Sequence, residues 1–172
     1  MNFFDTALKR NSYRGKFLPG TVPYASLKRI VEIALAAPSG RNKETTVIVA
    51  VTSPDKIKEA SEIIEKPQIA DAGALLLLAF DPAEEYGVED CSALCQNALL
   101  AITASGYASC WLDGALKREN RIERLAKLVE LPQPYKIKIL LPVGRAADQV
   151  VPPVKKSIKE RAFLDKYGAS LS

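Results

Sequence analysis

Two apolar rhythms alternate along the chain. From Tyr24 to Ala37, Leu27, Ile30, Val31, Ala34 and Leu35 recur at three- and four-residue intervals, the spacing of one helix face, and Pro38 closes the pattern. Thr45 to Thr52 (TTVIVAVT) is a β-branched run suited to a pleated surface; Ser53-Pro54 then supplies an N-cap and a first-turn proline for a helix to about Lys66. Gly73 to Phe80 (GALLLLAF) is apolar throughout, as a strand covered on both faces requires. Glu89 to Ser105 reads as a nearly chargeless helix, and ASCWL (108–112) as a short strand. Asn120 with Glu123 forms a capping-box pattern for a helix to about Leu131, and Lys136 to Gly144 reads as a strand. A last short helix is expected around Ser157 to Lys166. Strands alternate with more numerous helices, which predicts helices packed on one sheet, in the α/β or α+β class.

The totals narrow the function. The 172 residues fit one domain, 1–172, able to bury roughly 70% of the surface its unfolded chain exposes. A net charge of +4 with acidic and basic residues interleaved gives no stripe for nucleic acid, so a small anionic ligand is the expected partner. The uncharged run Cys91 to Leu112 is long enough for a membrane helix, but Ser92, Gln96, Asn97, Thr103, Ser105 and Ser109 make it a buried helix of a soluble protein instead. Three cysteines without a regular framework suit a reducing compartment, and MNFFDTALKR lacks the pattern of a secretory signal, so a cytoplasmic location is expected. The chain has no histidine, which removes histidine-dependent nucleophile systems, histidine bases and zinc sites with histidine ligands. Enzymatic chemistry here is expected to belong to a bound cofactor, with no metal.

Three short stretches could bind such a group. In RNSYRG (10–15) an extended backbone places Arg10, Ser12 and Arg14 on one side, with the two guanidinium groups roughly 13 Å apart, a spacing for an elongated anion. Neither glycine-rich nucleotide fingerprint is present, so side chains must hold any phosphate, and Lys155-Lys156 joins the two arginines as a candidate. APSGRN (37–42) offers backbone amides with Ser39, Gly40 and Asn42 in a compact loop, and CWLDG (110–114) ends in an Asp-Gly turn with exposed N–H groups. Each stretch alone also reads as surface charge, a helix C-cap or a plain turn.

Taken together the stretches resemble the nitroreductase family of FMN-dependent oxidoreductases, whose pattern opens Arg-x-Ser-x-Arg and continues with a helix ending Ala-Pro-Ser-x-x-Asn. The DAG at 71–73 with its apolar strand, the block 90–114 and LLPVGRAA (140–147) with its basic tail match in the same order. The resemblance implies an α+β fold, with a mainly antiparallel central sheet flanked by helices, in an intertwined homodimer. It implies that Arg10 and Ser12 bind the FMN phosphate and ribityl end while Arg14 reaches the pyrimidine edge. Pro38, Ser39, Gly40 and Asn42 would face the partner subunit's flavin; Leu112, Asp113 and Gly114 would lie near N5 and O4. Lys155 and Lys156, or Arg145, would meet the phosphate, and Gln68 stands where some relatives carry lysine. The implied activity passes a hydride from NADH or NADPH through flavin N5 to a nitroaromatic or quinone by a ping-pong cycle, with no obligatory catalytic side chain. A flavin carrier or sensor, specialised flavin chemistry on the same fold, and a nucleic-acid-binding module using the basic tail are the alternatives.

Overall fold

A computed structural model describes residues 2–171. In chain order the elements are α1 (Phe3–Lys9), β1 (Phe17–Leu18), α2 (Tyr24–Leu35), β2 (Thr46–Val51), α3 (Pro54–Ile63), β3 (Ala74–Phe80), α4 (Gly87–Ala104), α5 (Arg121–Leu128), β4 (Lys136–Val143) and β5 (Arg145–Ala146). The main sheet runs β2-β3-β4, antiparallel throughout, and β1 pairs antiparallel with β5 in a separate ribbon. No helix among the described residues is long and apolar enough to cross a membrane.

β3 organises the core. Its alternate side chains point to opposite faces. Ala74, Leu76 and Leu78 join Ile139, Leu141 and Val143 under α2 and α4, whereas Leu75, Leu77 and Ala79 join Val51, Ile137 and Leu140 under α3 and α5. The strand register explains an irregularity in β4. Leu78 pairs with Ile139 but Ala79 with Ile137, so the ladder skips Lys138. This bulge turns Ile137 toward the α3 and α5 side, away from Ile139.

Local chemistry sets most boundaries. The Ser53 hydroxyl accepts the Lys56 N–H and Pro54 fills the first turn of α3. α4 is apolar enough to be covered by α1, α2 and the sheet, burying Cys91, Leu94, Cys95, Ala98, Leu99 and Ile102. On α2, Leu27, Ile30 and Ala34 are buried but Leu35 is half exposed, so the predicted stripe is covered only in part.

Three expectations are corrected. The final segment forms only a single 3-10 turn, Ile158–Glu160: Ser157 and Glu160 cap each other, and Ile158, Leu164 and Tyr167 are exposed with no core face to continue against. Asn120 makes no side-chain cap, since its backbone (φ −101°, ψ 32°) is not the extended one that capping needs, and α5 stops at Leu128. Residues 108–112 form isolated bridges, Ala108 with Gly144 and Leu112 with Leu140, in place of a strand.

Candidate functional site

The segment 10–14 is pinned by its odd-numbered side. Tyr13 donates its N–H to Ser109 O, buries its ring edge-to-face on Phe17, and places its hydroxyl between Lys16 O, to which it donates, and the N–H groups of Ala147 and Asp148. Lys9, Asn11 and Tyr13 line one cavity of about 230 Å³ with Leu99, Thr103, Tyr107 and Ser109. Arg14 lines a second hollow, which Tyr13 also borders, and its only bond among the described residues is a long one of 3.4 Å to Ser12 O. Gly15 is required between them, because a Cβ there would stand 2.6 Å from the Tyr13 hydroxyl.

The hollow at Arg14 gathers Lys66, Gln68, Ile69, Cys110 and Leu112. A neighbouring hollow of about 220 Å³ shares Lys66 and Leu112 and adds Trp111, Asp113, Gly114, Arg118 and Arg121. The two meet at Lys66 and Leu112, and are taken together as a cleft from Arg14 past Lys66 to the Asp113-Gly114 turn. Leu112 is fixed within it by reciprocal backbone bonds with Leu140 (3.1 and 2.9 Å). The Asp113 carboxylate lies 4.0 Å from the ammonium groups of both Lys117 and Lys138, the second brought there by the β4 bulge. Arg10 and Asp113 both act electrostatically on the Cys95 thiol, which burial pushes up, Asp113 adding to that and Arg10 opposing it.

The loop 37–44 is held elsewhere on the chain. Pro38 and Ser39 line a hollow of about 180 Å³ with Leu35, Glu44, Thr46, Asp90 and Leu94, none of which lines the Arg14 cleft. Arg41, Asn42 and Glu44 all take left-handed backbone, at φ 54°, 54° and 53°. Such strain persists only where the surroundings enforce it, as they commonly do at binding sites. Here the buried Asp90 carboxylate accepts the Gly40 N–H at 2.8 Å, Ser39 Oγ accepts the Glu44 N–H, and Arg41 and Lys43 pair with Glu85 and Glu84.

The remaining sequence candidates are dispersed. Arg145 pairs with Leu18 and lines a third hollow with Pro19, Val22, Gly73 and Tyr107. Lys155 and Lys156 lie on an exposed, irregular stretch of the tail. No cluster of metal-ligating side chains occurs among the described residues. Lys66 was missed by sequence reasoning, which placed it at the end of a helix. α3 ends instead at Ile63, and a left-handed Glu65 turns the chain so that Lys66 enters the cleft. Its signal was its place two residues before Gln68, in the stretch ahead of DAG where the resemblance already expected a lysine.

Known proteins resemble this chain in sequence and in fold. A protein of Archaeoglobus fulgidus, provisionally named NADH dehydrogenase/NAD(P)H nitroreductase, is 29% identical over 129 residues, 72% of this chain and 74% of that protein. A solved structure from Bacteroides thetaiotaomicron with the same provisional name gives a TM-score of 0.86 at 24% identity, covering 96% of this chain and 98% of that one. A nitroreductase with bound FMN from Bacteroides fragilis gives 0.78 at 22%, covering 95% and 98%. These structures share the fold. The model of the nitroreductase family matches residues 7–81 and 65–145, which carry the N-terminal arginines, the strained loop and the whole cleft: the chain belongs to the nitroreductase family.

Proposed function

We propose that the protein is an FMN-dependent NAD(P)H oxidoreductase whose cleft, running from Arg14 through Lys66 and Gln68 to Leu112–Gly114, receives the isoalloxazine ring. The observation that carries this reading is the donor set. Four cations, Arg14, Lys66, Arg118 and Arg121, and the amide of Gln68 line the cleft beside the apolar walls of Ile69, Leu112 and Trp111, which suits a flat ring with one electron-rich edge. FMN supplies the two-electron chemistry, linking NAD(P)H to an acceptor such as a nitroaromatic or a quinone in a ping-pong cycle.

The chain's own residues bind and orient. Arg14 and Lys66 offer positive charge at the pyrimidine edge, where negative charge gathers on reduction, and Gln68 adds an uncharged donor. Asp113 and Gly114 present backbone groups along the N5 and O4 side, with Leu112 as a wall. Arg10 and Ser12 take the ribityl phosphate, helped by Lys155 and Lys156 of the exposed tail or by Arg145.

The site is completed by a second copy of the chain, whose Pro38, Ser39, Gly40 and Asn42 cover the open face of the ring. Two features support a homodimer. The 37–44 loop is strained yet rigidly tied within its own subunit. α1 and the tail also expose the large apolar side chains Phe3, Phe4, Leu8, Val151, Val154 and Tyr167, which a second copy would cover.

The absorption spectrum of the native protein is the test. Flavin bands that bleach under anaerobic NADH or NADPH, with parallel initial-rate lines when donor and acceptor are both varied, are expected of a dimer. Purified protein that neither carries nor takes up FMN refutes the reading.

A further inference from the structure

Arg121 opens α5, yet its guanidinium is buried, with the side chain only 3% exposed. A cation at a helix N-terminus opposes the helix dipole, so α5 itself does not explain it. Its contacts do. Nη1 donates to Ile64 O (3.0 Å) and to Ala115 O (3.2 Å), and Nη2 pairs with the Glu65 carboxylate at 2.5 Å. Nε is buried with no bonding partner among the described residues. Ile64 and Glu65 lead directly into Lys66, and Ala115 follows the Asp113-Gly114 turn. Arg121 therefore ties together two backbone segments that both line the cleft, and its own side chain lines the cleft with them.

We propose that Arg121 is a positioning residue that sets the separation between Lys66 and the Leu112–Gly114 stretch, so that both polar edges of one flavin are met at once. This rests on the FMN reading. The planar guanidinium reaches two carbonyls and a carboxylate in three directions, which a lysine ammonium, a point charge on a flexible stem, cannot reproduce. The Glu65 carboxylate, held below the usual range by its bond to Arg121, neutralises the guanidinium charge. Arg121 thus acts through geometry. The left-handed Glu65 (φ 53°) is part of the same tie, since that turn aims both the carboxylate at Arg121 and the following lysine into the cleft.

The experiment compares the wild-type protein with Arg121→Met, Arg121→Lys and, as a control for lost stability, Leu125→Ala, which hollows the core under α5 at a residue that lines neither hollow of the cleft. FMN affinity, the visible spectrum of the bound flavin and amide hydrogen exchange over 64–68 and 112–117 are read for each. Arg121→Met is expected to weaken FMN by about tenfold or more, shift the flavin bands and speed exchange in both segments together. Arg121→Lys, which keeps the charge and folds more readily, is expected to show the same loss in smaller degree. Leu125→Ala is expected to lower the melting temperature with affinity and spectrum unchanged. Wild-type affinity and spectrum in a folded Arg121 variant overturn the proposal, as does an equal loss in Leu125→Ala. Failure of the wild-type protein to bind FMN is a different result, which removes the FMN reading and this inference with it.

Discussion

Tyr13→Phe isolates one hydroxyl that joins the arginine-bearing segment to the root of the tail. The hydroxyl donates to Lys16 O and accepts from the N–H groups of Ala147 (3.1 Å) and Asp148 (3.3 Å). Its removal leaves little stranded, because the Ala147 N–H also bonds Lys16 O at 3.0 Å and Asp148 is exposed to water. The full penalty for orphaned buried groups is therefore avoided, and the loss is that of one good bond and two weak ones, about 1–2 kcal/mol. Phenylalanine keeps the ring on Phe17, so no packing loss is added. For a chain of this size that lowers the melting temperature by about 2–8 °C, with an unchanged urea m-value. The local effect is larger than the global one: limited proteolysis is expected to cut residues 147–171 faster relative to the domain. A change below about 0.5 kcal/mol with unaltered proteolysis shows that the hydroxyl does not hold the tail, and one above about 3 kcal/mol shows that the shared bond does not protect Lys16 and Ala147.

Two further outcomes follow from the site and the core. Arg14→Ala is expected to leave stability within about 0.5 kcal/mol, since Arg14 is exposed with one long bond, yet to impair FMN retention or reduction more than Lys156→Ala does; equal effects in a flavin titration count against its role at the ring edge. Burial pushes the Cys91 thiol up to about 12 and the Cys110 thiol to about 11, from an ordinary 9.0, and raises Cys95 as well. The folded state holds these thiols neutral while the unfolded chain ionises them first. Their contribution is complete below the unfolded value and is lost as pH rises from about 9 through 11–12. Urea unfolding across that range should fall more steeply in the wild type than in a variant with all three cysteines changed to alanine, and at about pH 8 the folded protein should resist thiol reagents. Rapid labelling of the native chain contradicts the burial.

What could be read from the sequence was what repeats. β3 shows itself as a central strand because every position is apolar, and α2, α3 and α4 announce themselves by period, cap or lack of charge. The order of the motifs carried the family. The details that build the cleft depend on single backbone irregularities, which leave no periodic trace. In KIKILLPV strict alternation would put Ile137 and Ile139 on one face; only the pairing with β3 shows that Lys138 is skipped and brought toward Asp113.

The strained loop makes the same point from the opposite direction. Nothing in RNKE signals left-handed backbone at Arg41, Asn42 and Glu44, since of these only asparagine tolerates that region readily, and glycine would be the expected residue. The conformation is held from a distance, chiefly by the buried Asp90 on α4 bonding Gly40, while the exposed pairs of Arg41 with Glu85 and Lys43 with Glu84 add little. Lys66 likewise enters the cleft because Glu65 turns left-handed against Arg121, fifty-six positions further along the chain. Local sequence supplied the groups that can meet a ligand, whereas buried charges on α4 and α5 decide where those groups point. A substitution at Asp90 or Arg121 should therefore disturb the site through the backbone segments each one holds.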